Sequence, residues 1–196
     1  MLDKKLNPII QFKDWFEEAK NKEINDPNAM CLSTVSENGK PHSRMVLLKD
    51  FNDNGFIFYS NYESNKALDI NKNSEVCLNF HWKSLLKQIR IEGTIEKLPS
   101  EVSDEYYNSR HYLSRIGAWA SDQSRILESR KILENKIEEY KKKYPNENKV
   151  PRPPHWGGYI VNYNRIEFWE DMPHRIHKRE VFELVNNNWK QFTLSP

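Results

Sequence analysis

Four stretches of the chain gather cations and hydroxyls at spacings that suit anionic ligands. In RMVLLK, residues 44–49, Arg44 and Lys49 stand at the two ends of an apolar run. Strict alternation along a strand sends them to opposite faces, and so to different ligands unless a bulge intervenes; a surface strand with snorkelling cations is the plainer alternative. Tyr59 and Ser60 close a strand just before a helix that carries Ser64 and Lys66. Free backbone N–H groups, hydroxyls and an ammonium at such a junction can hold a phosphate. Tyr106, Arg110 and Ser114 are four residues apart, a spacing that stacks phenol, guanidinium and hydroxyl on one helical face, with arginine offering a two-pronged fork. The same spacing also occurs on ordinary exposed helices. Just beyond, Gln123 and Ser124 supply polar groups near a turn. The fourth stretch is Trp169 followed by HRIHKR, residues 174–179. On a strand, Arg175, His177 and Arg179 share one face, a cationic row for a planar anion stacked near Trp169. No metal is expected: His174 and His177 have cations beside them and no flanking ligand cluster.

These residues need a frame, and the apolar patterning supplies one. A short amphipathic helix is predicted over about 12–19 (10–20 at its widest), then strands at 29–36 and 42–49 joined through Asn38-Gly39, a strong hairpin signal. A third strand covers 56–60, a short helix 63–71, and two more strands 75–82 and 88–98, the last alternating Ile89, Ile91 and Ile95 with polar residues. Helices follow at about 100–108 and 123–143, together a helical insertion at about 100–144; in the second, Ile126, Leu133, Ile137, Tyr140 and Tyr144 form one stripe. Strands at 157–163 and 165–170 and a hairpin around Asn186–Asn188 complete the chain. The expected fold is mainly β with inserted helices, a closed or nearly closed antiparallel barrel forming one domain over 1–196.

The 196 residues are 37% hydrophobic and 12% aromatic, which excludes disorder but leaves a lean core and points to an oligomer. Thirty Lys and Arg against 28 Asp and Glu leave a net charge of +2, so neither a nucleic-acid nor a membrane-surface binder is expected. No run is apolar enough to span a bilayer, and residues 1–5 lack an apolar signal core, so a cytoplasmic protein is expected. Cys31 and Cys77 sit in strand-like runs and are expected to be buried, inert thiols. Glycine-rich nucleotide loops, GxSxG and HExxH are absent from the sequence.

Taken in order, DPNAM (26–30), RMVLLK (44–49), FYSN (58–61), Gln88, the 106–114 segment, IGAWASDQS (116–124), WGG (156–158) and IEFW (166–169) through residue 179 resemble the pyridoxine/pyridoxamine 5′-phosphate oxidase family. The resemblance implies an FMN-binding split β-barrel, antiparallel and Greek-key-like, working as a homodimer with FMN at the interface. It implies oxidation of pyridoxamine or pyridoxine 5′-phosphate to pyridoxal 5′-phosphate in vitamin B6 metabolism, with O2 giving H2O2 and the amine giving NH3. By resemblance Arg44, Met45, Val46, Leu47, Leu48, Lys49, Tyr59, Ser60, Lys66, Gln88, Gln123, Ser124, Trp169 and Arg179 would bind FMN. Lys49, Tyr106, Arg110 and Ser114 would hold the substrate phosphate, Arg175 and His177 would face the pyridine ring and act in catalysis, and Asp26 matches an active-site acid. Asn65 stands where relatives commonly have a basic residue, and the chain starts close to the shared body, without the longer N-terminal arm of some members. Two other readings are a carrier of FMN or pyridoxal phosphate on the same barrel and another FMN-dependent reductase. A carrier would dispense with Arg175 or His177, and the Tyr106, Arg110, Ser114 trio marks a phosphorylated substrate.

Overall fold

The computed structural model describes residues 7–196; the polar start expected at residues 1–5 lies outside them. Helix α1, Pro8–Lys22, is longer than its apolar spacing suggests because its ends are well capped. Asn7 Oδ1 accepts from Ile9 N at 3.0 Å, Pro8 occupies the first turn, and Lys20 and Lys22 face the carbonyl end. Its Ile9, Phe12, Phe16 and Ala19 enter the core. Phe12, fully buried, meets the rings of Phe51, Phe56 and Phe80 edge-on at 4.8, 4.8 and 5.4 Å.

The strands are β1 Ala29–Val35, β2 Pro41–Leu47, β3 Asp50–Asn52, β4 Gly55–Asn61, β5 Glu75–Trp82, β6 Lys87–Lys97, β7 Trp156–Glu170, β8 Lys178–Val185 and β9 Asn188–Thr193, with α2 at Asn65–Lys72. All pairings are antiparallel, in the order β2-β1-β5-β6-β7-β4-β3, with β8 and β9 added beside β7. The two ends of this path, β2 and β3, are separated in the chain by Leu48 and Lys49 alone. Two residues cannot bridge an open seven-strand path, so the sheet must curl until its ends nearly meet. Leu48, buried in that seam, gives its N–H to Asn28 O, and Lys49 gives its own to Ile57 O, each at 2.8 Å. The expected mainly β barrel with inserted helices is what the chain forms, and β3 is a strand the sequence reading passed over.

The core follows the alternation. Met30, Leu32 and Thr34 of β1 and Val76, Leu78, Phe80 and Trp82 of β5 point inward and are buried. Cys31 and Cys77 occupy the outward positions of the same two strands and are only half-buried, contrary to expectation. The two strands expected at 157–163 and 165–170 are one, β7. A bulge opposite Glu92 and Gly93 absorbs Asn164 and lets the ladder continue. Glycine is required at 93, since a Cβ there would collide with the Asn162 carbonyl oxygen.

Two helical expectations fail for local reasons. The helix placed at 123–143 begins only at Arg130 (α5, Arg130–Lys143), because Ser124 has a left-handed φ of 71° and breaks any helix running through it. Ile126, assigned to the apolar stripe, is 97% exposed. Tyr106, Arg110 and Ser114 do not share one helix either. Helix α3, Ser100–Ser109, ends just before Arg110, which is extended (φ −76°, ψ 150°), and α4, Tyr112–Ala120, starts anew behind His111. No helix among the described residues is long and apolar enough to cross a membrane.

The β8 to β9 hairpin turns at Asn186 and Asn187, both left-handed at φ 51° and 60°. Such a turn favours Asn followed by Gly. Asn187→Gly is therefore expected to raise stability by about 0.5 kcal/mol, read as a higher urea midpoint with an unchanged slope.

Candidate active site

A cleft of about 810 Å³ opens where β2, the end of β4, the start of α2 and the α3 to α4 elbow converge. It collects most of the residues singled out from sequence: Arg44, Met45, Val46, Leu47 and Lys49, Tyr59 and Ser60, Lys66, then Tyr106, Arg110, Ser114, Gln123 and Ser124. Arg44 and Lys49 both reach it, against the alternation argument. β2 is an edge strand that stops at Leu47, and the backbone turns toward β4 before Lys49. The elbow at Arg110 likewise delivers the trio to the cleft that a straight helix was expected to present. His42, Asn65, His111 and Trp156 line it too.

Among the described residues the lining carries four cations, Arg44, Lys49, Lys66 and Arg110, and no carboxylate. Arg44 donates from Nη1 to Thr34 Oγ1 at 2.7 Å and Leu32 O at 3.2 Å, and its Nη2 lies 3.7 Å from Asp69. Lys66 is buried with Ser64 Oγ, at 3.0 Å, as its hydrogen-bond acceptor. Burial, and then the neighbouring Arg44 charge, push its pKa down to about 8. Arg110 lies with its guanidinium carbon 4.5 Å from the Trp156 ring centre, and its buried Nη1 has no hydrogen-bond partner among the described residues. Burial lowers its pKa, partly opposed by Tyr106 and Tyr107. Tyr59 stacks on Tyr106 at 3.8 Å and 13° and on Trp156 at 5.6 Å and 11°, giving the cleft an aromatic side. Burial and the Tyr106 neighbour raise the Tyr59 phenol to about 12, so it remains a hydrogen-bond donor at neutral pH. Lys66 and Arg110, desolvated in whole or part without an acid partner among the described residues, and the donor left over on Arg110 are what an anionic ligand completes. The donor set fits a phosphate at each end of the cleft, and so fits a phosphorylated flavin beside a phosphorylated substrate.

The other expected site residues lie outside this lining. Gln88, Trp169 and Arg179 form a row across β6, β7 and β8, each opposite the next. Arg179 is braced from below: its Nε donates to Glu167 Oε1 at 2.7 Å, and the same buried carboxylate lies 3.4 Å from Arg90 and 3.8 Å from Arg165. The pairing with Glu167 raises the Arg179 pKa further. His177 stacks obliquely on Trp169 at 4.6 Å, its Nδ1 placed 2.8 Å from Asp171 Oδ1 and 3.2 Å from Met172 N. Arg175, however, does not continue a strand face with His177 and Arg179. Pro173–Arg175 is a tight helical turn in which His174 and Arg175 have φ near 60°, and β8 begins only at Lys178. Asp26, also left-handed at φ 40°, uses its carbonyl to accept from Ala29 N. Leu48 belongs to the core rather than the cleft. No group of three or more His, Cys, Asp or Glu suited to a metal occurs among the described residues.

The family described as pyridoxamine 5′-phosphate oxidase matches residues 16–144, and the region described as pyridoxine 5′-phosphate oxidase C-terminal dimerisation region matches 156–196. The chain belongs to the pyridoxamine 5′-phosphate oxidase family. A pyridoxine/pyridoxamine 5′-phosphate oxidase of Pelagibacter ubique is 51% identical over 98% of this chain and 93% of its own length. The protein of the same name from Gloeothece citriformis is 48% identical over 97% and 89%. Among solved structures, PhzG of Burkholderia lata, in complex with tetrahydrophenazine-1-carboxylic acid, superposes with a TM-score of 0.92 at 27% identity, covering 99% of this chain and 95% of that one. An FMN-binding protein of Nostoc punctiforme, at 14% identity over 97% and 99%, shares the fold with a TM-score of 0.77. The split-barrel architecture of this oxidase family is thus the architecture of the chain, and Trp169, Arg175, His177 and Arg179 all fall in its dimerisation region.

Sequence reasoning left four cleft residues of this family member without a role. His42 was legible, since it precedes Arg44 by two and so shares its side of a strand. Trp156 and His111 were not, because only the folding of β7 beside the α3 to α4 elbow brings them in. Asn65 was noticed only for the charge it lacks.

Proposed function

We propose that the chain is an FMN-dependent oxidase that converts pyridoxamine 5′-phosphate or pyridoxine 5′-phosphate to pyridoxal 5′-phosphate, as a homodimer of one-domain protomers. The observation that carries this reading is the cleft lined by no carboxylate among the described residues, with Lys66 buried and Arg110 half-buried and neither paired with an acid there. Relatives of that name, near 50% identical over almost their full length, support it.

On this reading Arg44, Ser60 and Lys66, with Gln123 and Ser124, hold the flavin phosphate, and the 44–49 backbone and Tyr59 flank the cofactor. Lys49, Tyr106, Arg110 and Ser114 hold the substrate phosphate. The Gln88, Trp169 and Arg179 row does not line its own protomer's cleft, which suits a contribution from the second copy across the interface; Arg175 and His177 accompany it toward the pyridine ring. Asp26 would act as an acid near the substrate. Bound FMN supplies a two-electron acceptor, and O2 takes up those electrons to give H2O2. The chain's own task is positional: one phosphate anchor would hold the flavin and the other the substrate, so that C4′ meets the flavin, and Arg175 and His177 would orient the reacting end. The amine substrate loses two electrons and two protons, and hydrolysis then releases NH3 and the aldehyde.

The test is direct. Purified protein is expected to take up FMN with a flavin absorption spectrum and, on addition of pyridoxamine 5′-phosphate in air, to form aldehyde and H2O2 in equal amounts. Protein that takes up no FMN overturns the reading, and bound flavin without turnover replaces it with a carrier.

A further inference from the structure

His42 has no role in the reading above, yet it stands in the cleft beside Arg44 and Lys66. Its Nδ1 is 2.9 Å from Asp69 Oδ2, on a carboxylate whose side chain is only 7% exposed. That oxygen also accepts from Thr34 Oγ1 at 2.7 Å, and Thr34 Oγ1 in turn accepts from Arg44 Nη1 at 2.7 Å. One network therefore ties β1, β2 and α2 together and ends in an imidazole at the cleft. Burial works against the Asp69 charge, but the hydrogen bonds from Thr34 and His42 outweigh it and hold the carboxyl below its usual range. With Nδ1 engaged by Asp69, the ring's remaining nitrogen, Nε2, has no partner among the described residues. An anionic oxygen there would give the ring an acceptor on each nitrogen, the arrangement that suits an imidazolium. Asn65, which opens α2 in the same cleft, offers only an amide.

We propose that His42 is a third cationic ligand for the phosphate bound at the Arg44 and Lys66 end of the cleft, with Asp69 as its positioning residue. This rests on the reading that FMN is the ligand there. His42 is exposed at the rim, so its substitution leaves the core intact, and its effect should fall on the phosphate alone.

The experiment compares FMN with riboflavin, which differs only by that phosphate, by titrating flavin-free protein with each. Wild-type protein should prefer FMN strongly. His42→Gln should shrink that preference about five- to twentyfold, the scale of one charged hydrogen bond at a partly exposed site, leaving riboflavin affinity unchanged, and His42→Lys should restore it. The loss from Asp69→Asn should be smaller in the His42→Gln background than in the wild type, because the two act as a pair. An FMN preference unchanged by His42→Gln overturns the proposal while leaving the oxidase reading intact. A wild-type protein that binds FMN no better than riboflavin overturns the oxidase reading itself.

Discussion

Arg110→Met is expected to lower kcat/KM for pyridoxamine 5′-phosphate about 100-fold, nearly all of it as a higher KM. The half-buried guanidinium lies against Trp156, its buried Nη1 lacks a partner among the described residues, and no carboxylate among them lines the cleft around it. A phosphate dianion meeting such a group gains charged hydrogen bonds of about 1.5–3 kcal/mol, and about 2.7 kcal/mol corresponds to 100-fold. The phosphate takes no part in bond making, so the lost contact weakens ground state and transition state alike, which is the signature of a KM effect. Stability should move the other way. The unliganded fold carries a half-buried cation whose buried Nη1 is uncompensated, and methionine replaces it with a flexible apolar chain, so the melting temperature of flavin-free protein should not fall. Steady-state kinetics with thermal unfolding separates the cases: unchanged kcat/KM with a lower melting temperature would make Arg110 a structural residue.

That opposition between binding and stability explains which parts of the molecule the sequence could disclose. Strands with one buried face wrote themselves as alternation, as in Met30, Leu32 and Thr34 or Ile89 and Ile91, and hairpins wrote themselves as Asn-Gly or Asn-Asn. These are local rules, satisfied within a few residues. The errors fell where a local rule yielded to a distant partner. Nothing near Ser124 announces a φ of 71°, but the turn there aims Arg125 at the Glu63 carbonyl, 62 positions away, and leaves Gln123 and Ser124 in the cleft. A regular helix would have buried Ile126 and removed both.

Residue types at the site were more legible than their arrangement. Arg44, Lys49, Lys66 and Arg110 stand out in the sequence as cations, but one strand, a two-residue link, one helix and an elbow bring them together. Period-3.6 reasoning gave Tyr106, Arg110 and Ser114 a common face for the wrong reason: a helix break at Arg110, not helical stacking, points them into one cleft. For Arg175, His177 and Arg179 the strand periodicity misled, because Pro173 starts a tight turn that two left-handed residues complete. The brace beneath Arg179 could not be read at all. Glu167, Arg90 and Arg165 meet it only through the register of β6, β7 and β8.

Lys66 gives the second large effect, and here the pH dependence carries the argument. Its pKa in the folded, unliganded chain is depressed to about 8 by burial and by Arg44, against about 10.4 in an unfolded chain. A lysine with a depressed folded pKa costs the fold stability while it is charged. The cost is complete below pH 8 and is relieved as pH rises toward the unfolded value, since there the unfolded chain binds the extra proton. A phosphate beside Nζ reverses this by favouring the ammonium. FMN affinity should accordingly weaken by up to tenfold per pH unit above about pH 8, in a window free of Tyr59, whose phenol is pushed up to about 12. Lys66→Met should lose about 100-fold in FMN affinity at neutral pH, on the scale of a buried charged contact, and show no such slope between pH 8 and 9.5. Flavin-fluorescence titrations across that range decide it. A slope that survives in Lys66→Met belongs to another group, and a wild type without one means that the ammonium does not meet the phosphate.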